Sequence, residues 1–254
     1  MSKPLVLLTA PIKTRSGYGN HSRDVARALI ESDKYDFKIN SVPWGATPQT
    51  ALEDNDVHNS IRQHILNEPS LPNQPDLHIH LVIPNEFNPI GKKNLGFTAG
   101  IETTVPVPEW VVGVNRMDET IFTSTFTETV FKNAEFKDDK QNQTIKMLKP
   151  SSTLFEGVDT DTYKKVRKFS PKMEEQFSKI DNDFCFLFTG HWLAGNLGED
   201  RKDTGMLLKV FLETFKNQKN PPALVMKTSG ADFSILDRED IKKKVEQISS
   251  SVKG

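Results

Sequence analysis

The sequence predicts an α/β protein with parallel sheets, divided into two domains of which the second is incomplete. Three observations carry this reading. Apolar runs of strand length alternate with amphipathic segments of helix length, the pattern of strands joined by crossover helices. The 254 residues are enough for one large domain or two ordinary ones. The composition also shifts between Thr160 and Asp183, where TYKKVRKFSPKMEEQFSKIDND is charged and poor in apolar residues, as at a hinge.

In chain order, strands are expected at Leu5 to Ala10, Phe37 to Val42, Leu77 to Ile83, Leu95 to Ile101, Thr120 to Ser124 and Thr153 to Glu156. Between them His21 to Ile30 carries Val25, Ala28 and Leu29 at helical spacing, and Val57 to Leu66 carries Val57, Ile61, Ile65 and Leu66. Pro108 to Met117 opens with a proline suited to a first helical turn, and Phe126 to Phe136 offers Phe126, Val130 and Ala134 as a face. The first domain is placed at residues 1–170 and the second at 171–254. In the second, Phe184 to Thr189 starts a new sheet, and Thr204 to Phe215 sets Met206, Leu207, Val210, Phe211 and Phe215 on one side. Ala223 to Lys227 is the next strand. Two strand-helix units make about half an open α/β domain, so the second domain reads as unfinished.

Composition removes several function classes. Lys+Arg number 33 against Asp+Glu 34, a net charge of -1, so the chain has no global field for nucleic acid or anionic lipid. Cys185 is the single cysteine and stands in the apolar run FCFLF, where a buried, unreactive thiol is expected. Neither an intramolecular disulfide nor a cysteine-based metal cluster can form. MSKPLVLLTAP has too short an apolar stretch for a signal peptide, and no window reaches the length of a membrane span. The expected compartment is the cytoplasm, that of a host cell if the protein is viral. The sequons at Asn20 and Asn142 are then chance matches.

SGYGNHS, residues 16 to 22, lies between a strand and a helix, where glycines let backbone N–H groups and a helix N-terminus approach phosphate. Gly17 and Gly19 are followed by Ser22 where the dinucleotide fingerprint has a third glycine, which disfavours NAD. On its own the motif fits either a phosphate or substrate contact or a plain turn. His78 and His80 in DLHIHLVI share one face of a strand, as a metal pair would, but no matching ligands follow, so core histidines bonded to backbone are expected.

Three longer segments add a resemblance. FEGVDTDTYKK (155–165), FTGHWLAGNLGEDRKDTGMLLKVFLETF (188–215) and GFTAGIETTVPVPEWVVGVNRMDETIFTSTFTETVF (96–131) resemble the GT-B glycosyltransferases, in particular the retaining nucleotide-sugar group called glycosyl transferases group 1 or family 4. The third segment is most similar to versions found in bacteriophages. The resemblance implies two Rossmann-like domains. It also implies that Gly17 and Gly19 lie near the donor diphosphate and that Lys202, with Arg201 beside it, neutralises the leaving nucleoside diphosphate. His191 stands where many relatives have arginine, and Glu102 is the nearest functional candidate where many have a histidine contacting the reacting sugar. At a strand's carboxyl end Glu102 could bind sugar hydroxyls, stabilise positive charge at the anomeric carbon or act as a base. Lys227 closes a strand whose edge faces the donor in such folds.

The function implied is transfer of a hexosyl group from a nucleotide diphosphate sugar to an acceptor, with retention of configuration. The partners implied are that donor and a glycan, lipid, protein or modified nucleobase as acceptor. No cofactor is expected, and metal is usually dispensable in the group. The group's paired-glutamate donor motif is missing, which keeps open a non-catalytic or truncated GT-B-like binding module. A Rossmann oxidoreductase is disfavoured by the imperfect fingerprint.

Overall fold

A computed structural model describes residues 3–252 apart from 46, 69, 102, 139–141, 194–196, 201 and 231–233. The chain divides into two compact units, Met1–Val158 and Asp159–Gly254.

In the first unit the strands are β1 (Leu5–Ala10), β2 (Asp36–Ser41), β3 (Leu77–Leu81), β4 (Lys93–Thr98), β5 (Glu119–Phe122), β6 (Glu135–Asp138), β7 (Gln143–Lys146) and β8 (Ser151–Thr153). The helices are α1 (Gly17–Ser32), α2 (Asp56–His64), α3 (Pro108–Val114) and α4 (Thr125–Asn133). Six strands form one sheet in the order β2-β1-β3-β4-β5-β8, with every pairing parallel. A parallel sheet is covered on both faces, which is why LVLLTA in β1 is apolar without alternation and buried from Val6 to Ala10. One core cluster joins Val6, Leu8 and Ile39 of the sheet to Ala26 and Ile61 of α1 and α2. A second joins Val82, Phe87 and Phe122 to Val111, Val114 and Phe131.

Local chemistry moves several boundaries. α1 begins at Gly17 rather than His21, because Ser16 caps it: its hydroxyl accepts from the Gly19 N–H. β4 ends at Thr98, three residues before the expected Ile101. α4 stops at Asn133, and the expected helical turn through Phe136 is instead the start of an antiparallel β6–β7 hairpin. Phe136 packs there against the second core cluster, a long-range contact that overrides local spacing.

The two strand histidines are buried, their ring centroids 5.2 Å apart. His80 takes a backbone partner, with Nδ1 accepting from the Asn88 N–H at 3.1 Å. His78 instead pairs through Nε2 with the Thr9 hydroxyl at 2.9 Å. Burial pushes His78 from its ordinary 6.5 down to about 4 and His80 down to about 3, the latter helped by its neighbour.

In the second unit α5 is Pro171–Phe177, β9 is Cys185–His191, α6 is Thr204–Phe215, β10 is Ala223–Ser229 and α7 is Ile235–Ser251. β9 and β10 run parallel with Cys185 opposite Ala223 and His191 opposite Ser229. Trp192 is buried beside Gly205 of α6. The expectation for Cys185 is corrected here, for the thiol is exposed. Phe186 points to α6, where it meets Phe211 and Phe215 at 6.2 and 6.0 Å. Cys185 and Leu187 alternate to the other face, where Leu187 is 71% exposed.

Two predictions follow from these environments. As pH falls below 6.5 an unfolded chain would protonate His78 and His80 while the native one does not, so native stability drains from about pH 6.5 downward toward pH 4 and 3. Histidine proton resonances followed from pH 8 to 5 should therefore show the His78 and His80 imidazoles still neutral at pH 5; titration of both near 6.5 would refute this. The Cys185 thiol should react with a bulky disulfide reagent in the native state at close to its rate in denaturant. Protection by orders of magnitude would mean that its face is covered.

Candidate functional site

In the first unit's sheet, β1 is flanked by β2 on one side and β3 on the other, so the strand order reverses there. Open α/β sheets bind ligands at the carboxyl ends of strands beside such a reversal. The segment that leaves β1 at this point is Pro11 to Ser16, and it is tightly braced. Thr14 donates from both its N–H and its hydroxyl to the Pro11 carbonyl, at 3.0 and 2.8 Å. Arg23, one turn into α1, donates to the carbonyls of Ile12 and Thr14 at 2.8 and 3.0 Å.

Gly17 and Gly19 sit in the first turn of α1 and differ sharply. A Cβ on Gly19 would lie 2.2 Å from the Thr14 carbonyl oxygen, whereas one on Gly17 would meet nothing within 4 Å. Gly19 is thus required for helix and loop to touch. Its N–H is bonded to Ser16, and that of Asn20 reaches the Ser16 carbonyl. The N–H groups of Gly17 and Tyr18 are the first-turn donors for which an α-helix supplies no internal acceptor.

The same turn aims two further side chains. The Tyr18 hydroxyl shares a hydrogen bond with the Thr98 hydroxyl at 2.9 Å and accepts from the Ala99 N–H at 3.2 Å. Its ring stacks on Trp44 at 4.2 Å. Burial raises its pKa, with the Glu156 charge a lesser contribution in the same direction. His21 is buried, its ring edge-on to Phe97 at 4.5 Å and its Nδ1 3.1 Å from the Glu156 carboxylate. Burial lowers the His21 pKa against the opposing pull of Glu156 and Asp24, which favours the neutral imidazole. A carboxylate only accepts, hence Nδ1 carries the proton.

Glu156 also lines a cavity of about 400 Å³ with Ala99, Gly100, Ile101, Thr123, Ser124, Phe126 and Thr127. This cavity lies at the carboxyl ends of β4 and β5. Gly100 has φ +70°, and a Cβ there would lie 2.2 Å from Thr127 Cγ2. Thr127 in turn donates to the Ala99 carbonyl at 3.2 Å, and Ser124 caps α4. From the strand that precedes Glu156, Ser151 and Thr153 donate to Glu128 at 2.7 and 2.6 Å, and Glu128 also meets Lys132 at 2.7 Å. These partners, Lys132 first, pull the Glu128 pKa down to about 2.

In the second unit Lys202 lies against Gly190 near the end of β9, and His191 follows in the same strand, where alternation sends its side chain to the other face. A Cβ on Gly190 would lie 2.8 Å from Lys202 Cδ and 3.1 Å from Nζ, so the absent side chain lets the lysine cross the strand end. His191 Nδ1 is 3.1 Å from the Gly230 carbonyl and 3.2 Å from the Ser229 hydroxyl. α6 starts just beyond Lys202 with Asp203 as N-cap at φ 46°, a cap that forms no side-chain bond to the helix. Lys227 is exposed on β10, in register with Thr189. Glu102 and Arg201 lie outside the described residues. Among the described residues no cluster of three or more His, Cys, Asp or Glu side chains is arranged to hold a metal ion.

Sequence reasoning picked out the motifs containing Tyr18, His21 and Glu156 but not these residues. The available signal was His21 itself, four positions before Val25 on the stripe that α1 buries.

No family model and no curated protein matches this chain. Among solved structures it is similar to one described as "Trehalose-6-phosphate from E. coli bound with UDP-2-fluoro glucose", at 9% identity and a TM-score of 0.53, over 98% of this chain and 71% of that one. The fold is thus GT-B-like, with parallel Rossmann-like sheets.

A pair of substitutions tests the first-turn geometry. Gly19→Ala should cost about 1–3 kcal/mol through its clash with Thr14. Gly17→Ala, at an open helical site, should be neutral or stabilising by up to about 1 kcal/mol. Urea denaturation reads both, and equal effects would contradict the packing described.

Proposed function

We propose that this protein is a glycosyltransferase that moves a hexosyl group from a nucleotide diphosphate sugar to an acceptor hydroxyl. The observation that carries this reading is the GT-B-like fold it shares, over 98% of its length, with a structure described with UDP-2-fluoro glucose bound. In this reading residues 1–170 serve the acceptor and 171–254 the donor, and the transfer proceeds with retention, as in the phage-type family 4-like enzymes that the sequence resembles.

The reaction breaks the bond between the anomeric carbon and the diphosphate oxygen and forms one to the acceptor oxygen, whose proton is lost. Charge therefore builds on the departing diphosphate, and catalysis rests on groups already aimed at it. In the second unit that role falls to Lys202, beside Gly190, and to His191, with Arg201 and Lys227 as further contacts. His191 supplies a hydrogen bond more than a fixed charge. In the first unit Gly17 and Gly19 bring the start of α1 toward phosphate, the N–H groups of Gly17 and Tyr18 acting as donors. Glu102 is assigned to the sugar, as a hydroxyl acceptor or a stabiliser of positive charge at the anomeric carbon. No metal or cofactor enters this scheme.

Calorimetric titration of the chain with UDP- and GDP-linked hexoses tests it. One of them should bind, and Lys202→Ala should weaken that binding about tenfold, the worth of one charge-assisted hydrogen bond. Failure of every nucleotide sugar to bind would sink the reading. Unchanged affinity in Lys202→Ala would remove the lysine from it.

A further inference from the structure

The pairing of His21 with Glu156 is not needed by the scheme above, and it is unusual in physical terms. A buried imidazole on the apolar face of a helix is costly unless its polar atoms are satisfied. His21 is satisfied at Nδ1 by a carboxylate whose own side chain is 52% exposed. The effect on Glu156 is to hold a half-exposed side chain at the wall of the cavity.

The composition of that wall states what it can receive. The lining offers the carboxylate of Glu156, the backbone of Ala99 to Ile101, the small polar side chains of Thr123, Ser124 and Thr127, and the ring of Phe126, itself 50% exposed. No lysine, arginine or histidine is among these lining residues. Among the described lining residues a phosphorylated or carboxylated ligand would meet the Glu156 carboxylate without a lysine or arginine to offset it. A carboxylate has about four acceptor positions, so with one given to His21 it still receives hydroxyl donors, and an exposed ring beside it suits the apolar face of a sugar.

We infer that this cavity binds a neutral, hydroxyl-rich molecule, with Glu156 as the recognition residue and His21 as the residue that positions it. That this molecule is the acceptor rests on the glycosyltransferase reading; its chemical class does not.

Ligand-observed NMR on the full chain, without donor, tests the site. The probes are the methyl glycosides of glucose, galactose and mannose, each against its 6-phosphate at matched ionic strength. A neutral glycoside should bind better than its phosphate, Glu156→Ala should weaken it about tenfold, and Glu156→Lys should invert the preference. His21→Asn should produce an intermediate loss, in a variant shown by circular dichroism to be folded. Stronger binding of the phosphates to the unaltered chain, equal binding of a glycoside to Glu156→Ala, or binding of neither class would overturn the proposal. Because no nucleotide is present, glycoside binding alongside failed donor titrations would leave this site standing while the reaction assignment fell.

Discussion

The site of the first unit depends on one close approach, that of the first turn of α1 to the loop that leaves β1. Gly19 allows it, since any side chain there would run into the Thr14 carbonyl. Ser16 and Arg23 then fasten it from both ends, one capping the helix and the other holding two loop carbonyls. Because a helix is stiff, fixing its first turn fixes the direction of every side chain in it. Tyr18 thereby reaches Thr98 on β4 and His21 reaches Glu156 beyond β8, residues far apart in the chain.

The supporting electrostatics set burial against hydrogen bonding: burial lowers the pKa of His78, His80 and His21. Glu128 has three donors and stays ionised, which locks α4 to the short edge strand β8. Glu156 follows β8 by three residues, and its carboxylate is met by His21.

Much of the fold was legible in the sequence because parallel sheets buried on both faces leave unbroken apolar runs such as LVLLTA. The helix faces were legible for the same reason, and Thr204–Phe215 has the bounds that its spacing indicated. What could not be read locally was decided by partners distant in sequence. The start of α1 turned on a cap, the β6–β7 hairpin on packing of Phe136, and the exposure of Cys185 on which face of β9 its helix covers. For the candidate site, the motifs were visible but not their partnership. In SGYGNHS the glycines stand out in the sequence, whereas the contacts of Tyr18 with Thr98 and of His21 with Glu156 depend on residues distant in the chain.

Glycosyl transfer leaves a product that NMR can follow. The chain is incubated with a UDP- or GDP-linked hexose carrying ¹³C at the anomeric carbon, together with a neutral glycoside, and followed by NMR. The account predicts that the labelled anomeric signal passes from the sugar nucleotide to a new glycosidic linkage, with one nucleoside diphosphate released per linkage. Persistence of the sugar nucleotide with every such donor, or release of the labelled sugar only to water, would contradict it.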